Sequence, residues 1–493
     1  MICVVGVDIG TGSTKAVAVN EQGSVIASAQ RSYATAHTAA GYSEQQPTEI
    51  WKAFVDCLGE LSASLPVPPH VVTLSSAMHS LLCVNREGEL LTPLMIWSDS
   101  RSALIAEALQ ASPEGEAFYR STGTPIHAMT PLCKIRWLAE NKTDVFEQTS
   151  RFLSIKEWIW WKLFGCYEID YSMASATGMF AVAAPAWHLP ALAWAGVSEA
   201  QLSKPVATEF SRKGLAEDTA AVLLLSPDTS FIIGASDGCL ANLGTDALEA
   251  GTAAITIGSS GAVRLCSKKP ILRFPSMPFS YRLYDQLYIC GGPINNGGIV
   301  LLWALKIFMR IESPGAADFE KFFDTISTVK AGCEGLVFLP YLTGERAPVW
   351  DAKSCGVFFG LGIQHSAAHM MRAAVEGVCY AIRETIQMVE ESNVPLQLLK
   401  VSGGFARSAY WLQMIADVTR KNLCTVQTED ASAIGAAYMA LHSLGLRSSD
   451  AGHGPIIQPQ ESLAAEYDKG FSVYQQLYAA LKKPMHHLHH LNY

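Results

Sequence analysis

What this chain lacks narrows it first. No apolar run approaches the roughly 20 residues of a membrane-spanning helix. Met1-Ile2-Cys3-Val4 has neither a basic start nor a cleavage site, and goes straight into structure. Positive charge is not in excess: the formal net charge of −9 argues against a nucleic-acid or anionic-membrane partner. The 12 cysteines have no close spacing, so neither a zinc site nor a redox pair is implied. Cys3, Cys57, Cys83, Cys239 and Cys379 sit in apolar surroundings and read as small buried hydrophobes. A reduced, cytoplasmic protein is therefore expected. No linker of disordered composition divides the chain. At 493 residues, with 49% apolar and 16% charged residues, it is too long for one ordinary core, and two domains of similar size, or three, are expected.

Two familiar phosphate loops are also missing from the opening stretch, Val4-Val5-Gly6-Val7-Asp8-Ile9-Gly10-Thr11-Gly12-Ser13-Thr14-Lys15. A P-loop needs a Gly-Lys pair, and the dinucleotide fingerprint meets Lys15 where its third glycine belongs. What is present is an apolar strand running into a turn of glycine and hydroxyl residues, then a second strand at Ala16–Asn20 and a third at Val25–Ala29. Such a hairpin exposes backbone N–H groups without side-chain bulk, which suits a polyphosphate. A carboxylate at Asp8 repels phosphate unless a cation lies between them, so the pattern predicts a phosphate site built with Mg²⁺. The plainer alternative is a strand followed by an Asx or glycine turn. Lys15 either neutralises phosphate or is a solvated hairpin residue.

Further along, residues 47–65 carry helical spacing behind Pro47, with Ile50, Phe54, Leu58 and Leu61 on one face. Val71–Ala77 is a buried strand ending at Met78-His79, and Leu81–Val84 with Leu90–Ile96 forms a hairpin ending in Trp97-Ser98-Asp99-Ser100-Arg101. Two strand ends thus deliver His79, then Asp99 and Arg101, the kind of place where functional groups collect. Residues 102–230 are mostly helical, with an aromatic helix from Ser154 whose tryptophans read as core. Phe231–Ser236 is a strand breaking into a small-residue turn at Asp237-Gly238. Near residue 245 the pattern restarts: Ala253–Ile257, a turn Gly258-Ser259-Ser260-Gly261, and a return strand, without the Asp. This half-repeat points to two domains that each begin with a phosphate-type hairpin. A long helix is expected at 367–391. The strand Leu398–Val401 enters Ser402-Gly403-Gly404 before another helix, a turn that lets a flat ligand approach the backbone. Residues 431–444 form the closing helix. The terminal His486-His487-Leu488-His489-His490 reads as a frayed, exposed tail.

Asp8–Lys15, Gly234-Ala235-Ser236-Asp237-Gly238, Thr256–Gly261 and Ser402-Gly403-Gly404-Phe405-Ala406-Arg407-Ser408 resemble, in order and spacing, the FGGY carbohydrate kinases of the actin-like ATPase superfamily. Within that family the chain looks most like the gluconokinases, at Ser75–Ser80, Trp97–Arg101, Gly123–His127 and Asp170–Ala176. The Met78-His79 pair also resembles xylulokinases, and Gly12-Ser13 stands where many relatives have two hydroxyls. The resemblance implies an α/β fold of two ribonuclease H-like domains, residues 1–245 and 246–493. Each would have a mixed five-stranded sheet flanked by helices, with a cleft between them.

It also implies roles. Asp8 would organise Mg²⁺; Thr11, Gly12, Ser13, Thr14 and Lys15 would form one phosphate hairpin and Gly258, Ser259, Ser260 and Gly261 the second. Asn296, Gly403, Gly404 and Phe405 would help to hold ATP. Met78, His79, Asp99 and Arg101 would contact the sugar acid, and Asp237 would be the general base. The bland alternatives are a cap or turn role for Asp237, an ion pair between Arg101 and Asp99, and a core position for His79. The implied reaction is ATP-dependent phosphorylation of D-gluconate; a pentulose or polyol kinase is the alternative, and a non-kinase actin-like ATP-binding regulator the second. The small-molecule acceptor is the expected partner, and the oligomeric state is left open, a homodimer included.

Overall fold

In the computed structural model, which describes residues 2–37, 41–284, 286–392, 394–426, 430–446 and 452–492, the opening stretch forms the middle of a sheet. Strands β1 (Cys3–Ile9), β2 (Ser13–Asn20), β3 (Val25–Ser32), β4 (Val71–Ser76), β5 (Ser211–Arg212) and β6 (Ser230–Ser236) lie in the order β5-β6-β4-β1-β2-β3. The first three make the expected antiparallel meander, while β4 is parallel to β1, and β6 to β4. The sheet has six strands where five were expected, because the two-residue β5 pairs along the edge of β6.

Alternation along these strands explains what faces what. Cys3, Val5, Val7 and Ile9 belong to one core with Phe54 and Leu58 of α1 (Pro47–Ser64) and the aromatic helix residues Trp158, Ile159 and Trp160. Val4, Val17, Val19 and Val71 belong to a second core with Ala433, Ala436, Ala437 and Ala440 of the closing helix, Ala431–Ser443. Burial on both faces is why β1 reads as an unbroken apolar run. The closing helix lies close against the sheet because β1 is glycine at position 6. A Cβ there would stand 1.9 Å from the carbonyl oxygen of Ala433.

Strand β6 breaks the alternation. Phe231 and Ile233 face the first core and Ile232 the second, but Ala235 also faces the second. The pairing with β4 shifts register between Ile232 and Ala235, a bulge centred on Gly234, whose φ is +72°. A Cβ at Gly234 would meet the carbonyl oxygen of Leu74 at 1.8 Å. The bulge re-aims the strand's end, and Asp237 then opens helix Asp237–Gly244 instead of the expected turn.

The compact units do not follow a single cut at residue 245. The first comprises Met1–Leu248, Cys266–Cys290 and Asp430–Ala451, and the second Glu249–Leu265, Gly291–Glu429 and Gly452–Tyr493. The two late segments join the first unit because their apolar residues, Phe279, Tyr281 and Leu283 with those of the closing helix, complete its second core.

In the second unit, β7 (Thr252–Ile257) and β8 (Gly261–Ser267) form a hairpin. Strand β9 (Leu398–Ser402) is parallel to β7, and β10 (Asn422–Thr425) to β9. This repeats the plan of β2, β1, β4 and β6. The His-rich terminus is not a frayed tail: Ala464–Asn492 is helical, Met485 is buried, and His486 Nε2 lies 2.6 Å from Asp351 Oδ2. Among the described residues no helix is long and apolar enough to cross a membrane.

Gly234→Ala is expected to destabilise the protein by more than about 2 kcal/mol, through both the strained φ and the clash with a backbone carbonyl. A denaturation midpoint within error of the unmodified chain would contradict this account of the bulge.

Candidate active site

The end of β1, the start of β2, the end of β6 and the start of the closing helix supply four charged side chains, Asp8, Lys15, Asp237 and Asp430. Asp8 shares a face of the sheet with Val4 and Gly6, and its strand partners are Lys15 on β2 and Ser75 on β4. Ser75 Oγ donates to Asp8 Oδ1 at 2.7 Å. Lys15 pairs with Asp430, which immediately precedes the closing helix. Burial first, then the negative charge of Asp237, push the Asp8 carboxyl up to about 7; Ser75 and Lys15 oppose the rise and Asp430 adds to it. Asp237 and Asp430 thus both add negative charge around Asp8 while Lys15 opposes them, a balance that invites a cation.

The tip of the first hairpin is held by this unit's own side chains. Gly10 N donates to the carbonyl of Ser13 at 3.0 Å. Trp97 Nε1 donates to Thr11 Oγ1 at 3.1 Å, and Gln45 Nε2 to the carbonyl of Thr11. A Cβ on Gly12 would meet nothing within 4 Å, so the turn is open there. Strand alternation separates the expected phosphate contacts: Ser13 and Lys15 share the Asp8 face, while Thr14 is fully buried on the other. The Thr14 side chain therefore does not belong to an exposed phosphate surface.

Asp237 is the first residue of helix Asp237–Gly244, and its Oδ1 accepts the N–H of Gly238 at 2.6 Å. A helix start lends positive potential to a carboxylate. Ser432 Oγ donates to the Asp237 carbonyl at 3.1 Å, tying it to the closing helix.

The acceptor-side residues are anchored as well. His79 has a left-handed φ of +64°; its Nδ1 lies 2.8 Å from the carbonyl of Ala176 and must donate there, leaving Nε2 facing Tyr281 Oη at 3.4 Å. Met78 packs against the second core. Arg101 donates through Nε and Nη2 to Asp99 at 2.8 and 2.7 Å, donates again to Glu44, and stacks 3.7 Å over the Tyr42 ring. Most of its fork is thus engaged within the protein. Asp99 is buried, its Oδ2 also accepting the N–H of Ser43.

Lys134 was not singled out from the sequence. It is fully buried in the helix Pro131–Asn141, and Nζ donates to the carbonyls of His79 and Ile96, both at 2.7 Å, and of Met95 at 3.5 Å. One ammonium thereby fastens the segments that carry His79 and Asp99. Burial pushes its pKa down to about 7, with Asp99 opposing the shift. A lysine among the apolar residues of Pro-Leu-Cys-Lys-Ile is the sole trace of this in the sequence. Asp430 was missed for a different reason, since its partner Lys15 is 415 positions away.

In the second unit, Gly258 N donates to the carbonyl of Ser260 and closes the second hairpin. The N–H groups of Gly298 and Ile299, opening helix Gly298–Met309, donate back to the carbonyls of Gly258 and Ser259. Beside this hairpin an open pocket of about 820 Å³ is lined by Gly258, Ser259, Leu302, Phe319, Gly404 and Arg407, among others. Gly403 has φ +106° and passes close to the backbone of Ile257. Phe405 falls in the 3₁₀ turn Gly404–Arg407, and its side chain lies outside the described residues. Asn296 does not line this pocket: Nδ2 donates to Gly344 and Glu345 and Oδ1 accepts from Thr343, so its amide holds the 343–345 turn.

Taken unit by unit, these residues fit parts of a magnesium nucleotide. The pocket has the size and mixed apolar and polar lining of a nucleoside site, and the Asp8 region has the carboxylate surplus. Among the described residues no group of three His, Cys, Asp or Glu could hold a metal ion. Mg²⁺ needs fewer protein ligands, one or two carboxylates plus phosphate and water oxygens, and Asp8 is such a carboxylate.

A hairpin-bearing mixed sheet repeated in two units, with carboxylates gathered at strand ends of the first, is the plan of the actin-like ATPase fold. The chain belongs to the FGGY family of carbohydrate kinases: the family's N-terminal domain model matches residues 3–244 and its C-terminal domain model residues 253–444. A gluconokinase from Bacillus licheniformis is 37% identical over 492 residues, covering 97% of this chain and 96% of that one. The crystal structure of gluconate kinase from Lactobacillus acidophilus superposes with a TM-score of 0.93 at 31% identity, covering 97% of this chain and 98% of that one. That of a ligand-bound xylulose kinase from the same organism gives 0.93 at 30% identity, covering 98% and 99%.

Two outcomes check the electrostatics. The unfolded chain ionises Asp8 near 3.8 and the folded chain near 7, so between those values the folded form holds the extra proton and stability declines as pH rises. Asp8→Asn should therefore raise the melting temperature of the nucleotide-free protein at pH 8, with the gain fading by pH 5; a gain independent of pH contradicts the assignment. Lys134→Met removes the donor from the carbonyls of His79, Ile96 and Met95, at a cost of about 2 kcal/mol. It should raise KM for the acceptor while KM for ATP stays within about twofold, and equal changes in both would count against its anchoring role.

Proposed function

We propose that this kinase transfers the terminal phosphoryl group of ATP to a hydroxyl of a sugar acid, D-gluconate, giving 6-phospho-D-gluconate. The observation that carries the mechanism is the action of Asp237 on Asp8, two carboxylates in different surroundings at the ends of β6 and β1, the strands on either side of β4. Asp237, at a helix start with a backbone N–H on one oxygen, is suited to accept the acceptor's proton. Asp8, crowded by like charge, is suited to hold Mg²⁺. Bound Mg²⁺-ATP supplies the phosphoryl group and neutralises charge across its oxygens.

The chain's own part is positioning. Thr11, Gly12, Ser13 and Lys15 in the first unit, and Gly258 to Gly261 in the second, receive phosphates through backbone N–H groups and the lysine. Gly403, Gly404 and the pocket beside them take adenosine. His79 and Asp99 orient the acceptor, and Arg101, already engaged by Asp99 and Glu44, keeps their loop in shape. We take Thr14 and Asn296 to be structural supports of these contacts. Gluconate is favoured over xylulose because the higher identity, over almost the whole chain, is to a gluconokinase. The two structural likenesses are equal in TM-score and do not separate the acceptors.

Turnover measured with gluconate, xylulose, ribulose, glycerol and fuculose tests the acceptor. Gluconate should have the highest kcat/KM by at least about tenfold, a margin of some 1.4 kcal/mol; a leading pentulose would overturn that choice. Asp237→Asn should fold and bind both substrates, yet lose about 10²–10⁴-fold in kcat. Near-normal turnover would remove Asp237 from the role of base.

A further inference from the structure

The aromatic helix Ile155–Phe164 and the segment Asp170–Ser175 meet behind Asp237, and neither has a part in the reaction described above. Lys156, in the first turn of that helix, is fully buried. Its Nζ donates to Asp170 Oδ2 at 2.8 Å and to the carbonyl of Ala235 at 3.0 Å. The other carboxylate oxygen of Asp170 accepts the N–H groups of Ser172 and Met173 at 3.0 and 2.9 Å, capping the short helix Tyr171–Ser175. This places Ser172 Oγ against the last residue of β6: it accepts the Ser236 N–H at 3.1 Å and donates to Ser236 Oγ at 2.8 Å.

Ala235 and Ser236, the two residues before Asp237, are thus each held by a buried polar side chain. Ser236 stands at the N-cap of the helix that Asp237 opens, yet its side chain makes no cap bond. N-cap serines ordinarily bond the helix's own N–H groups; here the hydroxyl is committed to Ser172. An apolar pair of similar volume could replace a buried ion pair with little loss of stability. It could not bond the Ala235 carbonyl while also capping the helix that presents Ser172. The relay adds to the strand pairing, which resumes beyond the bulge at Gly234 with Ala235 opposite Ser75 and Ser236 opposite Ser76 of β4.

We propose that Lys156, Asp170 and Ser172 are positioning residues for the catalytic base, a relay of buried hydrogen bonds that fixes the Ala235-Ser236 backbone and hence the direction in which Asp237 is presented. The proposal rests on Asp237 being the base. A misplacement of about 1 Å at a reacting group can cost a hundredfold in rate, so the relay should act on kcat and leave substrate affinity alone.

The test compares Ser172→Ala, Ser236→Ala and Asp237→Asn singly, and Ser172→Ala within Asp237→Asn, in the full chain with gluconate and Mg²⁺-ATP. Ser172→Ala should lower kcat by about tenfold to a hundredfold, with both KM values within about twofold. Ser236→Ala, which keeps the backbone bond to Ser172, should lower it less. In the Asp237→Asn background Ser172→Ala should have no further effect on kcat, since nothing is left to position; a merely structural role would lower turnover in both backgrounds. Unchanged kcat in Ser172→Ala, or an equal loss in the two backgrounds, overturns the proposal. If Ser172→Ala fails to fold, full kcat in Ser236→Ala does so. Normal turnover of Asp237→Asn alone overturns the base assignment instead, which keeps the two failures apart.

Discussion

The constraint on which the first unit depends is crowding of like charge. Asp237 and Asp430 both act on Asp8 with Lys15 opposing them, and burial makes the charge of Asp8 more costly. Such an arrangement is unfavourable in the nucleotide-free protein, and on the proposed function a cation and phosphates complete it. Local instability of this kind persists only where the surrounding fold over-determines it. Here the determinants are visible: Ser75 bonded to Asp8, Gly238 to Asp237, and Ser432 to the backbone of Asp237.

The same constraint makes sense of the backbone irregularity. In a regular strand Asp237 would follow the parity of Phe231 and Ile233, which face the first core. The bulge at Gly234 moves Ala235 onto the side of Ile232, the side shared by Asp8, Lys15 and the closing helix. Gly6 then lets that helix approach β1 closely enough for Asp430 to reach Lys15. Two glycines, one admitting a positive φ and one a close contact, therefore set which carboxylates meet.

Much of this was legible in the sequence, and the divide has a physical basis. The meander, α1, the parallel strands and the second hairpin show local periodicity, and strand ends point to Asp8, His79, Asp99 and Asp237 without tertiary information. Alternation could also have warned that Thr14 faces away from Ser13 and Lys15. The rest depends on contacts between distant segments. The sequence leaves Arg101 either as a contact of the sugar acid or as an ion pair with Asp99. The structure shows the ion pair, and Glu44 and the ring of Tyr42, which engage it as well, left no sign in the sequence. Asn296 turns to the 343–345 loop, and His486 is fixed by Asp351, a residue 135 positions away. Lys134 left no periodic trace because its partners are backbone carbonyls, which every residue has.

If the carboxylate surplus exists to recruit a cation with the nucleotide, Mg²⁺ should strengthen nucleotide binding through Asp8. Calorimetric titration of ADP with and without Mg²⁺, in the unmodified protein and in Asp8→Asn, measures this directly. The unmodified protein should bind ADP at least about tenfold more tightly with Mg²⁺, equivalent to some 1.4 kcal/mol, and Asp8→Asn should lose most of that gain. The same Mg²⁺-dependent gain in both proteins would contradict the account.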